Sequence, residues 1–143
     1  MKTKNFRFVW VVAVLLLLGC SKDDEGGTSS SLKAGAHTFE LNGLNSCNSP
    51  GGPAGSIFIM SVTYTAEGGV TVKRIHVETL VSSGEGDTAS TATFTDNGSA
   101  ITYAKCFRFG PVDWVEYTVR LEGSDGTMSN GVKVRIDKPN GAN

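Results

Sequence analysis

Residues 115–136 read VEYTVRLEGSDGTMSNGVKVRI. Val115, Tyr117, Val119 and Leu121 recur at every second position with Glu116, Thr118 and Arg120 between them, and Val132, Val134 and Ile136 alternate in the same way around Lys133 and Arg135. A period of two sends the apolar set to one face of a strand and the polar set to the other. The segment around Asp125-Gly126 supplies the reversal between the two runs. The register that sets Tyr117 opposite Val134 also sets Glu116 opposite Arg135, so apolar meets apolar on one face and opposite charges meet on the other. A hairpin with one dry face needs a second layer to cover it, and this stretch therefore predicts a layered β-fold.

The same signals run back through the chain. Asn97-Gly98 reads as a two-residue hairpin turn; pairing Asp96 with Ser99 places Phe94 opposite Ile101 and Ala92 opposite Tyr103. Residues 82–90, SSGEGDTAS, read as a polar loop. Residues 56–65, SIFIMSVTYT, place Phe58, Met60, Val62 and Tyr64 on one face, and Glu67-Gly68-Gly69 reads as a short hairpin loop. Val70 and Val72 share a parity that Ile75 and Val77 lack, so a bulge is expected near Lys73-Arg74. His37 to Leu41 alternates weakly, as an edge strand does. No stretch holds a helical period. About seven strands in residues 32–143 predict an all-β fold, a single antiparallel β-sandwich. The final hairpin resembles the closing strands of bacterial immunoglobulin-like and PKD-type domains, with Tyr117 where those folds often carry a corner tyrosine. That resemblance implies an immunoglobulin-like sandwich.

The amino-terminal segment has a different character. Lys2, Lys4 and Arg7 precede an apolar run from Phe8 to Leu18. Eleven residues are too few to span a bilayer core, which needs about 20 helical residues; a basic flank before a short apolar run is the layout of a secretory signal. The run ends Leu17-Leu18-Gly19-Cys20, which resembles the lipobox of bacterial lipoproteins. The resemblance implies cleavage after residue 19, a diacylglyceryl thioether on Cys20 and acylation of the new amino terminus. Two or more chains anchor stably, each buried CH₂ contributing about 0.8 kcal/mol. Ser21, Lys22, Asp23, Asp24 and Glu25 then resemble the export signal of Bacteroidota surface lipoproteins, which implies display on the outer face of the outer membrane. Residues 26–31, GGTSSS, are a flexible tether. The expected organisation is thus a signal peptide at 1–19, a lipidated, acidic tether at 20–31 and one domain at 32–143.

Without residues 1–19 the chain keeps ten basic and fourteen acidic residues. No basic patch or Lys/Arg run offers a nucleic-acid footprint. With Cys20 taken by lipid, Cys47 and Cys106 remain, and in an oxidising compartment an even pair is expected as a disulfide. Neither sits at metal-ligand spacing, and neither metal nor cofactor is expected. His37 and His76 read as surface histidines. No GxSxG, HExxH or phosphate-binding glycine loop occurs, and no enzymatic activity is expected.

The bond would draw the loop at 45–55, NSCNSPGGPAG, against CFRFGPVDW at 106–114. Together these offer Asn45, Asn48, Arg108, Phe109, Asp113 and Trp114. Aromatic faces beside planar polar groups suit sugar rings and protein anchors alike. Asp87-Thr88-Ala89 resembles the Bacteroidota O-glycosylation motif, which implies modification of Thr88. The function these features predict is a lipid-anchored, surface-exposed, non-enzymatic binding module for an extracellular glycan or protein ligand. The alternative is a structural or accessory lipoprotein subunit of an outer-membrane complex.

Overall fold

The computed structural model describes residues 30–48 and 54–143. The signal segment, Cys20, the acidic cluster at 21–25 and the centre of the 45–55 loop lie outside the described residues. Eight strands form in chain order: β1 (Ser31–Cys47), β2 (Gly55–Glu67), β3 (Val72–Val81), β4 (Gly86–Thr91), β5 (Thr95–Asp96), β6 (Ala100–Phe107), β7 (Trp114–Gly123) and β8 (Val132–Asp137). They make two antiparallel four-stranded sheets, ordered β1-β2-β6-β5 and β4-β3-β7-β8. This is the strand order of an immunoglobulin-like sandwich, with one strand added beside the third.

The closing hairpin has the register its alternation predicts: Tyr117 pairs Val134 and Glu116 pairs Arg135. The Glu116 carboxylate, however, accepts its hydrogen bond from Lys133 Nζ at 2.8 Å, because Arg135 turns instead to Asp137 and to the Trp114 ring. The bulge at Lys73 is present, between the pairs Val72–Gly123 and Arg74–Glu122. It lets Val72, Ile75 and Val77 all face the core.

Three connections differ from the sequence expectation. Gly68-Gly69 does not close a hairpin: both glycines have positive φ, but β2 is already flanked by β1 and β6, so the chain crosses to the other sheet and inserts Val70 and Val72 into the core. The Asn97-Gly98 turn is wider than two residues. Thr95 pairs Thr102 and Asp96 pairs Ile101, two positions off the expected register. Asn97 Oδ1 accepts the main-chain N–H groups of Ser99 and Ala100 at 3.0 and 2.8 Å, and this side-chain wrapping enlarges the loop. Residues 86–91 form strand β4 rather than loop, paired with β3 from Ile75–Thr91 to Leu80–Gly86. An edge strand of a solvated sheet margin needs main-chain partners and no apolar face, so its sequence carried no apolar signal.

Phe58, Met60 and Val62 of β2 and Ile101 and Tyr103 of β6 meet Ile75, Val77, Val115, Tyr117, Val119, Leu121 and Ile136 of the other sheet. The strands also fix two poles. Ser31 opens β1 at one pole, beside Gly68 and the 124–127 turn, where the Ser30 hydroxyl and then the Thr127 groups hold Asp125 down to about 2. Cys47 closes β1 at the other.

Candidate functional site at the disulfide pole

Cys47 and Cys106 are bonded, with their Cα atoms 6.0 Å apart. They lie on strands that flank β2 on opposite sides. The bond is reachable because β1 loses register between Leu41 and Gly43 and again before Cys47, which curls its end over the start of β2. Gly55 lies beneath this crossing, where an added Cβ would come within 2.8 Å of the Phe107 carbonyl oxygen.

Asn45 sits two residues before the bridge with φ of 49°, a left-handed conformation that asparagine tolerates better than most residues. Its carboxamide is fully engaged with the chain's own last residues: Nδ2 donates to the Gly141 carbonyl at 2.8 Å, and Oδ1 accepts the Asn143 N–H at 2.9 Å. The Phe109 N–H donates to the Asn143 main-chain oxygen at 2.8 Å. The Lys138 N–H donates to Asp113 O, and Lys138 Nζ donates to Gly110 O. The carboxy-terminal residues thus brace the 108–113 segment, with Ala142 buried against the core.

That braced segment forms one wall of a cleft of about 670 Å³; the turn between β3 and β4 forms the other. Val81, Phe107 and Val112 are its half-buried apolar floor, and the exposed Glu85, Arg108 and Asp113 stand at its rim. The Asp113 N–H donates to Ser82 Oγ at 2.9 Å, tying the two walls together. A cleft of this size with an apolar floor and a few charged groups has the proportions of a ligand site.

The six residues drawn together by the sequence reading do not form one surface. Arg108 and Asp113 share the cleft rim. Phe109 lies behind it, 1% exposed, with its ring edge-on to Phe58 and Phe107, so it shapes the wall from the core side. Asn45 is a clamp. Asn48 is exposed next to residues outside the description. Trp114 begins β7 with its side chain on the outer face, where Arg135 lies 4.4 Å from its ring centroid. Glu85, Ser82 and Lys138 were not singled out from sequence, because their roles come from turns that meet only in the folded chain.

The histidines also divide. His76 is on the outer face as expected, 2.7 Å from a Glu122 oxygen, and the carboxylate is held below its ordinary range chiefly by that hydrogen bond. His37 is buried, at 8% exposure, a correction to its expected surface position. The register shift between Ala34 and His37 turns the ring inward opposite Val62. Burial lowers its pKa to about 4, a Val132 backbone contact opposing in part, and Nε2 lies 3.4 Å from the Tyr103 hydroxyl. Thr88 is exposed on edge strand β4, paired with Glu78. Among the described residues no cluster of His, Cys, Asp or Glu could hold a metal ion. No protein-family model, no curated protein and no solved structure matches this chain.

Proposed function

We propose that the chain is a lipid-anchored, surface-displayed, non-enzymatic binding module whose recognition end is the disulfide pole. The observation that carries this is the position of the cleft. It opens at the pole opposite Ser31, where the chain enters the domain from the tether, and the thirteen residues of β2 put about 40 Å between the two poles at about 3.3 Å per residue. A head held by lipid at Cys20 would present that cleft away from the membrane. An apolar floor supplies contact area, and the charged rim of Glu85, Arg108 and Asp113 supplies orientation for an extracellular protein or glycan ligand.

The test uses the full lipidated chain in liposomes, presented to extracellular-matrix proteins and a glycan array. Binding is expected, and Arg108→Ala with Asp113→Ala should reduce it at least tenfold with little change in melting temperature, since both side chains are exposed. Undiminished binding by the double variant would reject the cleft. A Cys20→Ala protein that still partitions into the detergent phase would reject the anchor.

A second reading, a subunit docked within an outer-membrane complex, is favoured by one observation. Phe39, Leu41 and Leu44 are all about 40% exposed within one run of β1. It predicts that Phe39→Asp leaves ligand binding intact and shifts the sedimentation of the complex extracted from native membranes.

A further inference from the structure

We propose that the outer face of the β4-β3-β7-β8 sheet is a second binding site, for a neutral oligosaccharide. A trough of about 460 Å³ crosses this face. Its shape comes from short residues set among long ones. Gly86 in β4 leaves the edge open, and no side chain fits there, since an added Cβ would lie 2.9 Å from Thr79 O. Thr88 and Thr118 follow as the low floor, in line with Glu78 between them. Leu80, 39% exposed, and Glu116, its partner across the strands, form one side; Arg120 rises on the other, and Lys133, beside Thr118, closes the β8 end, where it pairs with Glu116.

The charges select the ligand class. Among the described residues Lys133 forms an ion pair with Glu116 and Arg135 with Asp137, and His76 lies 2.7 Å from Glu122, so Glu78 and Arg120 face the trough without an ion-pair partner. Arg120 is nonetheless placed, because its side chain lies across Gly131, whose added Cβ would be 3.4 Å from Arg120 Nε. An anionic ligand would meet Glu78, Asp87 and Glu116, and a cationic one would meet Arg120 and Lys133. An apolar ligand would find only Leu80. A neutral polyol uses the whole set. Planar carboxylate and guanidinium groups take vicinal hydroxyls through paired hydrogen bonds, the threonine hydroxyls add single ones, and Leu80 offers an apolar patch to the C–H face of a ring. The trough lies on a different surface from the cleft and does not depend on it.

The experiment takes the full oxidised chain in detergent, screens it on an array of neutral and acidic oligosaccharides, and titrates maltotetraose, cellotetraose and mannotetraose while following amide NMR signals. Neutral glycans should bind, moving the Gly86, Thr88 and Thr118 signals. Glu116→Gln and Arg120→Met should each weaken binding about tenfold, the effect of removing a charge-assisted hydrogen bond. Leu80→Ala should weaken it through lost contact with the ring. All three positions are on the solvated face, so the variants should keep the parent's spectrum elsewhere. The proposal is overturned if no neutral glycan binds, if only acidic glycans bind, or if the shifts appear at Arg108 and Asp113 instead. It is also overturned if the protein from its native cell carries a sugar on Thr88 that already protects the trough, which would assign the trough to the chain's own glycan.

Discussion

At His37 an imidazole sits in the core, with no carboxylate bonded to it among the described residues and a tyrosine hydroxyl 3.4 Å away. Its pKa is about 4 in the fold against 6.5 ordinarily. Above pH 6.5 the ring is neutral in both folded and unfolded chains, and stability is at its full value. As pH falls from 6.5 towards 4 the unfolded chain binds a proton that the folded chain does not, and stability drops; below about 4 both bind it and the loss levels off. The whole loss is about 3 kcal/mol. Urea unfolding of the parent and His37→Gln should therefore diverge across that window, and parallel pH profiles would disprove it. Tyr117 presents the opposite case. Its hydroxyl is buried without a hydrogen-bond partner among the described residues, and burial, followed by Tyr103, raises its pKa. It does not make the backbone bond of a corner tyrosine. Removing an unsatisfied buried hydroxyl relieves a desolvation penalty of about 1–3 kcal/mol, so Tyr117→Phe should be neutral or stabilising in the same assay. A clear loss of stability would contradict this.

Among the elements, the ends of β1 and β6 depend on each other through the bridge. Closing a loop with a sequence separation of 59 stabilises the fold by about 4 kcal/mol in the chain-entropy model. Cys47→Ser with Cys106→Ser should lower stability by roughly that amount, and a thiol assay on the unfolded, non-reduced parent should find neither cysteine free. The Asn45 clamp is a separate device at the same place. Asn45→Gly keeps the left-handed backbone and loses two hydrogen bonds, about 2 kcal/mol at about 1 kcal/mol each. Asn45→Ala loses the same bonds and, unlike glycine, keeps a Cβ in that backbone conformation without the polar side chain that lets asparagine tolerate it, at a cost of about 1 kcal/mol relative to glycine. Chemical denaturation should rank parent above glycine above alanine. An alanine variant as stable as the glycine one would remove the strain argument. Both changes should also speed amide exchange at Phe109, whose N–H is bonded to the residue that the clamp holds.

For the molecule as a whole, the two sheets are joined by their core, by the chain crossings from β2 to β3, β4 to β5 and β6 to β7, and by Asn130. The Asn130 carboxamide accepts the Ala34 N–H and donates to the Ala34 carbonyl, both at 3.0 Å, taking the place of a strand partner on the free edge of β1. Asn130→Ala should destabilise by about 2 kcal/mol and raise hydrogen exchange at Ala34, while fluorescence and circular dichroism transitions stay coincident, because the shared core keeps the unfolding cooperative. Transitions that separate would mean that Asn130, rather than the core, couples the sheets.

What the sequence by itself determined is the layered β-architecture, the register of the closing hairpin, the bulge at Lys73 and the partnership of Cys47 with Cys106. Each of these rests on local alternation or on counting residues of one kind, and both are properties of a linear string. Strand β4 was hidden because an edge on a solvated margin needs no apolar face. The inward turn of His37 was hidden because a bulge two residues earlier reverses parity without changing composition. Only the tertiary structure decided that Gly68-Gly69 crosses between sheets, since both edges of β2 are already filled, by β1 on one side and by β6 on the other. Only it separated Trp114 from Arg108 and Asp113: six positions in sequence turn from the rim of one pole to the outer face of a sheet, because β7 begins at Trp114 and a strand sends successive side chains to opposite faces.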